Sequence, residues 1–98
     1  MLILEMYKNS PKTVLGMNAN QIANFSGDGH LRDDSESQQE LRKFLRLVEI
    51  DTLVEYASYC LSKPFTNGPY LLQDTVNEIG RRLGFEVKNG RYTGSGKK

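Results

Sequence analysis

The chain has 98 residues, of which 38% are hydrophobic and 26% charged, and its formal net charge is +1. This length allows one domain with one modest core, and the near-neutral charge gives no overall electrostatic attraction to nucleic acid. No run of about 20 apolar residues is present, so we expect no membrane-spanning helix and no membrane partner. The single cysteine, Cys60, cannot form an internal disulfide. With no signal peptide recognisable at the N-terminus, we expect a cytoplasmic location.

The first thirty residues give the weakest structural signals. Residues 2–7 are compatible with either a short strand or a helical turn, because periodicity cannot decide over so few positions. A short helix is predicted around residues 20–25, with Ile22 and Phe25 facing inward. The candidate N-cap residues of this helix are Asn18 and Asn20. Residues 27–29, Gly-Asp-Gly, predict a turn.

A second helix is predicted after residues 33–40, where acidic and capping residues accumulate. Ser37 and Glu40 have the spacing of a capping box. The apolar residues that follow at helical spacing are Leu41, Phe44, Leu45 and Val48. Asp51 is the expected N-cap of a third helix, which ends before Pro64. The expected inward residues of this third helix are Leu53, Val54, Ala57, Cys60 and Leu61.

The last helix carries the most regular pattern. Its apolar residues recur at i, i+4, i+7 and i+11 and predict one buried stripe, formed by Leu72, Val76, Ile79 and Leu83. Pro69 suits the first helical turn, and Gly84 lies where a left-handed C-terminal cap favours glycine. Gly80 costs about 1 kcal/mol relative to alanine inside a helix, which predicts that another group approaches its backbone closely.

Residues 89–90, Asn-Gly, lie between two short segments of β-forming residues and predict a type I′ hairpin. The fold class expected from these signals is mainly α: a compact bundle of three to four helices with a small C-terminal β-hairpin. We expect residues 1–94 to form a single domain and residues 95–98 a flexible tail.

The residues that usually carry chemistry are sparse. His30 is the only histidine and Cys60 the only cysteine, whereas a structural zinc site needs about four such ligands. The acidic residues near the glycine turn, Asp28, Asp33 and Asp34, do not have the spacing of a calcium loop. We therefore expect no metal site, no cofactor and no catalytic residues, and hence not an enzyme.

Several segments together resemble one protein family. Residues 72–87 read LQDTVNEIGRRLGFEV and residues 89–94 read NGRYTG; upstream segments read NQIANF (20–25), GDG (27–29) and LRKFL (41–45). Over residues 18–94 this is similar to the helical entry region of bacterial restriction-endonuclease-like proteins of the PD-(D/E)xK superfamily. The resemblance implies that metal-binding strands should follow, yet only Glu78 has a counterpart here. We therefore expect the scaffold without its catalytic core.

The expected function is a non-catalytic protein-interaction module from a restriction or defence setting, acting by partner docking or homodimerisation. One alternative is a small phage- or mobile-element-encoded inhibitor of a bacterial defence system, similar to anti-CRISPR proteins; another is a DNA-binding regulator. Basic clusters keep nucleic acid as an alternative partner. Because specific contact usually depends on a few aromatic and arginine anchors, the candidate partner-binding residues are Tyr56, Tyr59, Tyr70, Arg81, Arg82, Arg91 and Tyr92.

Overall fold

The computed structural model describes residues 2–87 of the chain. In chain order its helices are α1 (Leu2–Asn9), α2 (Pro11–Leu15), α3 (Ala19–Asn24), α4 (Glu36–Leu47), α5 (Ile50–Ser62) and α6 (Gly68–Arg82). The mainly α prediction is confirmed, but the N-terminal segment adds two short helices to the expected three to four.

The predicted β-hairpin is not supported, because residues 2–87 contain no strand. Residues 85–87, the expected first arm of the hairpin, have no regular structure. The expected turn at residues 89–90, the second arm and the tail at residues 95–98 all lie outside the described residues. The hairpin and the domain limits stay predictions.

Helices α5 and α6 form an antiparallel pair, and α4 packs on both α1 and α6. At one end of the pair, Cys60 and Gly68 line the same cavity. At the other end, Arg82 reaches the carbonyl groups of Leu45 and Arg46, close to the start of α5. The N-terminus of α5 therefore lies beside the C-terminus of α6.

The core forms around α4, as its apolar spacing predicted. Leu41, Phe44, Leu45 and Val48 are all buried. The Phe44 ring packs edge-on against Tyr7 at a centroid distance of 5.4 Å and lies 6.4 Å from the Tyr56 ring. Buried residues from the other helices complete the core; the largest are Ile3, Val14, Ile22, Leu53 and Leu71.

Helix α1 depends on tertiary contacts for its first turn. The Ile3 amide donates to the Phe25 carbonyl at 3.0 Å, and the Leu4 amide donates to Glu40 Oε2 at 3.1 Å. Both acceptors are distant in sequence, so the start of this helix cannot be predicted from a neighbouring capping residue. This explains why residues 2–7 were ambiguous from their pattern alone.

The N-caps agree with the sequence only in part. The capping box of α3 is present, with Asn18 and Gln21 bonded reciprocally. The Ser37–Glu40 box was wrong, because Ser35 is the N-cap of α4 and accepts the Gln38 amide. Asp51 is also not the cap of α5: the N-cap is Glu49, with no side-chain cap bond, and Asp51 lies in the first turn.

The largest correction concerns which face of α6 is buried. Its buried residues are Gly68, Leu71, Asp74, Thr75 and Glu78. Val76 is 51% exposed and Leu83 is 62% exposed, so the predicted core stripe is largely an outer surface. Three residues outside α6 were also expected to face inward and are exposed: Phe25, and Val54 and Leu61 of α5.

The C-terminus of α6 confirms two predictions. Gly84 has a left-handed φ of 94°; its amide donates to the Arg81 carbonyl, and the Phe85 amide donates to the Gly80 carbonyl. These two bonds form a Schellman motif. A Cβ at Gly80 would lie 3.1 Å from Val87 Cγ2, so the expected close approach is made by the chain that folds back after the cap.

The turn at residues 27–29, which was predicted, is fixed to the bundle through Asp28 and Asn67. The Ser37 hydroxyl donates to Asp28 Oδ1 at 2.8 Å, and the His30 amide donates to the same oxygen at 3.0 Å. From the loop before α6, Asn67 Nδ2 donates to the Gly29 carbonyl at 3.0 Å. The segment between α3 and α4, which contains this turn, is therefore bonded both to α4 and to the loop before α6, although it has no regular secondary structure.

These bonds make the stability of the fold depend on pH in the acid range. The Ser37 hydroxyl, the His30 amide and the Arg32 guanidinium lower the pKa of Asp28 from 3.8 to about 2. A carboxyl group whose pKa is lowered by folding stabilises the folded state above its unfolded pKa and stops doing so as pH falls through the folded pKa. We expect stability to fall from about pH 4 to about pH 2.

Chemical denaturation at several pH values measures this dependence. Asp28→Asn should be less stable than the wild type at pH 6, and the difference should shrink as the pH falls towards 2 and disappear only below it, because Asp28 is still half-ionised at its folded pKa of about 2. Ser37→Ala removes the strongest donor to Asp28. In this variant the free energy of unfolding should change less steeply between pH 4 and 2 than it does in the wild type. Equal slopes for the wild type and Asp28→Asn between pH 4 and 2 would contradict the role of Asp28.

Candidate protein-docking face

One ion pair between α4 and α6 lies on the side of α6 that faces the core. Arg42 Nε lies 3.1 Å from Asp74 Oδ1, and the Asp74 side chain is almost completely buried. A buried carboxylate is tolerated only when it is paired and hydrogen-bonded. The Arg42–Asp74 pair therefore holds the polar side of α6 against α4.

A second ionic cluster lies one turn further along α6. Glu78 pairs through Oε1 with Arg81 and through Oε2 with Arg82, both at 3.0 Å. Arg82 Nη2 also donates to the carbonyl groups of Leu45 and Arg46, at 2.9 and 3.0 Å. These carbonyls belong to the C-terminal turn of α4, where the helix dipole favours a cation. Arg82 thus caps α4 and fixes α6 to it.

With its polar side held inward, α6 presents apolar residues to solvent together with α5. We call the surface of these two helices that carries five apolar residues the outer face; the five are Val54, Leu61, Leu72, Val76 and Leu83. Leu61 is 75% exposed and Val54 is 49% exposed, and Leu72 is partly buried. Exposed large apolar side chains are ordinary when scattered, whereas a contiguous patch marks an interaction site.

Helical periodicity places these residues side by side. Val54 and Leu61 are seven residues apart on α5, and Val76 and Leu83 are seven apart on α6, so each pair lies along one line of its helix. On α5 this line lies on the opposite side from Tyr56, which contacts Phe44 of α4. On α6 it is turned away from Asp74. In an antiparallel pair, the two lines therefore form one continuous surface directed away from α4.

A polar rim surrounds the outer face. On α5 the exposed rim residues include Glu49, just before the helix, and Asp51 and Glu55 within it; the helix itself contains no lysine or arginine. On α6 the neighbouring rim residues are uncharged, namely Gln73 and Asn77. An apolar centre with a polar rim is the usual composition of a protein interface.

At the end where α5 leads into α6, the outer face borders a shallow cavity of about 270 Å³. Its lining residues are Cys60, Pro64, Phe65, Gly68, Pro69 and Leu72. Partial burial raises the pKa of the Cys60 thiol from 9.0 to about 11. The thiol is therefore protonated at neutral pH and is a poor nucleophile.

We expect iodoacetamide to alkylate Cys60 slowly in the folded protein. At pH 8, the smaller thiolate fraction, offset in part by the greater nucleophilicity of a more basic thiolate, should slow the reaction about 10-fold relative to the urea-unfolded chain. Mass spectrometry gives the rate directly, because the chain has one cysteine. Similar rates in the folded and unfolded chains would show that Cys60 is an accessible, ordinary thiol.

The structure describes five of the seven residues expected to bind a partner, and these five have different environments. Tyr56 is buried in the core, where burial strongly raises its pKa, so it offers no surface to a partner. Tyr59 is half-buried and packs on the Phe65 ring, with centroids 5.8 Å apart, and Tyr70 is half-buried against the core. Arg81 and Arg82 bind Glu78. Arg91 and Tyr92 lie outside the described residues.

The outer face itself was missed because its residues were assigned to the core. A stripe of apolar residues at helical spacing looks the same whether it faces a core or a partner. One sequence signal pointed to the alternative: residues 71, 74, 75 and 78 form a second possible inward face, with Asp74 and Glu78 able to pair with arginines. The pairing partner, Arg42, is 32 positions away from Asp74.

The part of the chain that the structure describes holds no candidate metal centre. Among residues 2–87, no three or more histidine, cysteine, aspartate or glutamate side chains are grouped so that they could hold a metal ion. None of the described helices has the length and apolar character needed to span a membrane. No protein-family model, no curated protein and no solved structure matches the chain.

Proposed function

We propose that the chain is a non-catalytic protein-interaction module that docks a partner through the outer face of α5 and α6. The observation that supports this is that Val54, Leu61, Val76 and Leu83 are all exposed, and helical spacing aligns the two residues of each helix along one line. The resemblance to restriction-endonuclease-like proteins is what supports a restriction or defence setting, with a phage-encoded inhibitor as the alternative. A cytoplasmic location belongs to the same proposal, in keeping with the free cysteine.

The size of the outer face suits an interaction site. α5 has 13 residues and α6 has 15, so each helix is about 20 Å long at a rise of 1.5 Å per residue. Two packed helices present a width of about 20 Å, which gives a projected face of about 400 Å². The apolar centre is the part of this face inside its polar rim, and contiguous apolar patches of a few hundred Å² often mark interaction sites.

The ion pairs argue against the alternative of a DNA-binding regulator. Phosphate contacts need cations that face solvent, whereas Arg42, Arg81 and Arg82 are bound to carboxylates within the fold. Lys43 and Arg46 remain on the exposed side of α4, which is a small cluster beside the acidic rim of α5. Protein docking is therefore the function that the geometry supports best.

Site-specific photocrosslinking in cells tests the proposal. A benzoylphenylalanine residue replacing Val76 should give a defined adduct, and the adduct should be lost when Leu61→Glu and Leu83→Glu are added. The matched control is the same residue at Leu15, which is 43% exposed on α2. No adduct at position 76, or equal adducts at positions 76 and 15, would overturn the proposal.

A further inference from the structure

We propose that the exposed side of α4 binds the phosphate group of a small phosphate monoester, in a shallow cavity that lies apart from the outer face. The cavity has a volume of about 260 Å³, and its lining residues are Gln39, Arg42, Lys43 and Arg46. These residues are spaced at i, i+3, i+4 and i+7, so helical geometry gathers their side chains on one side of α4. Three of the four are cations, and the fourth carries an amide that can donate hydrogen bonds.

Lys43 and Arg46 are the two cations that a ligand would meet first. Both are exposed, and within residues 2–87 neither forms an ion pair with a carboxylate. Like charges one turn apart on a helix repel each other and destabilise it. An anion that contacts both side chains removes this repulsion, and the positive potential between them attracts such an anion.

Arg42 is a fixed part of the cavity wall. Its Nε lies 3.1 Å from Asp74 Oδ1, and its side chain is only 22% exposed. Because the Asp74 carboxylate is buried and holds this guanidinium, the cavity wall between α4 and α6 is in place before a ligand arrives. The ligand is bound by Lys43, Arg46 and the Gln39 amide, whereas Arg42 keeps its contact with Asp74.

Charge and size favour a phosphate monoester over other anions. A monoester phosphate carries a charge of about −1.5 to −2 at pH 7 and three strong acceptor oxygens, so it can meet both cations and the Gln39 amide at once. A carboxylate has two oxygens and a single charge.

A nucleic-acid strand is a poorer fit than a compact ligand, because it needs cations along several successive phosphates. Here only two unpaired cations line the cavity. Glu36 is exposed three positions before Gln39, and Glu49 is exposed three positions after Arg46. These two carboxylates repel a longer polyanion that extends beyond the cavity in either direction.

An NMR titration with phosphates tests the site in the full chain. At pH 7 and constant ionic strength, inorganic phosphate and phenyl phosphate should each shift the signals of residues 39–46, with a dissociation constant of about 1 mM, as expected for a few charge-assisted hydrogen bonds. Lys43→Gln with Arg46→Gln should weaken binding by about tenfold or more. Lys12→Gln, which removes an exposed lysine of α2, is the matched control and should bind phosphate as the wild type does.

Three results would overturn the proposal. The first is the absence of a saturable shift with either phosphate, and the second is an equal affinity of the wild type and the double variant. The third is a short single-stranded DNA that binds more than about tenfold more tightly than phenyl phosphate, with an affinity that falls steeply with salt, because this would identify a polyanion surface.

The phosphate site and the docking function can fail separately. Leu61→Glu with Leu83→Glu should leave the affinity for phenyl phosphate unchanged, because these residues lie on α5 and just after α6 rather than on α4. A loss of phosphate binding in this variant would contradict a site that lies apart from the outer face. Lys43→Gln with Arg46→Gln should in turn leave the photocrosslinked adduct at position 76 unchanged.

Discussion

Leu71→Asp should unfold the domain, whereas Val76→Asp on the same helix should leave it folded. Leu71 is completely buried and Val76 is 51% exposed. An unpaired buried carboxylate costs several kcal/mol, which is comparable to the whole stability of about 5–15 kcal/mol of a small domain. The Val76 change loses about 1 kcal/mol of partial burial, so its melting temperature should fall by no more than about 8 °C.

Circular dichroism melts at low protein concentration measure both changes. Leu71→Ala and Val76→Ala are the size-matched controls without a charge. Leu71→Ala should cost about 2–5 kcal/mol, and Val76→Ala should cost less than about 1 kcal/mol. If the two aspartate variants melted at the same temperature, the side of α6 that carries Leu71 would not be the one that faces the core.

Arg82→Ala should be the most destabilising change among the charged residues at the end of α6. It removes the Glu78 ion pair and two hydrogen bonds to the C-terminal carbonyl groups of α4. Hydrogen bonds to charged groups contribute about 1.5–3 kcal/mol, and partial exposure of the arginine reduces the effect of the ion pair. We expect a loss of about 2–3 kcal/mol in the free energy of unfolding.

Arg81→Ala is the matched control, because Arg81 is the adjacent arginine and binds the same carboxylate. It should cost about 1 kcal/mol or less, as is typical of a partly exposed pair. Urea denaturation gives both values. An equal loss for the two variants would mean that the contacts of Arg82 with α4 contribute nothing to stability.

Much of the helical framework was predictable from local pattern. α4 and its buried residues Leu41, Phe44, Leu45 and Val48 were predicted correctly, because their apolar face is narrow and the rest of the helix is strongly polar. The Asn18 cap of α3 and the Gly84 cap of α6 were also predicted, since both use bonds within a few residues. These features depend on neighbours in sequence.

The candidate site was not predictable in the same way. Tyr56 was expected at a surface and is in the core, whereas Val76 and Leu83 were expected in the core and are exposed. The positions of Arg91 and Tyr92 are not among the described residues, so their role stays a prediction. Tyrosine and valine alike fit either environment, and composition alone does not decide between them.

The sequence by itself determined that α4, α5 and α6 are helices, because apolar spacing and the breaks between helices act within a few turns. Only the tertiary structure decided which side of α6 faces inward. Arg42 and Asp74 are 32 positions apart, and Arg82 reaches a carbonyl 37 positions away. A buried carboxylate must be paired with a cation, and the Arg42–Asp74 pair holds the polar side of α6 inside the bundle. The apolar side of α6 is thereby left on the surface, as the proposed docking requires.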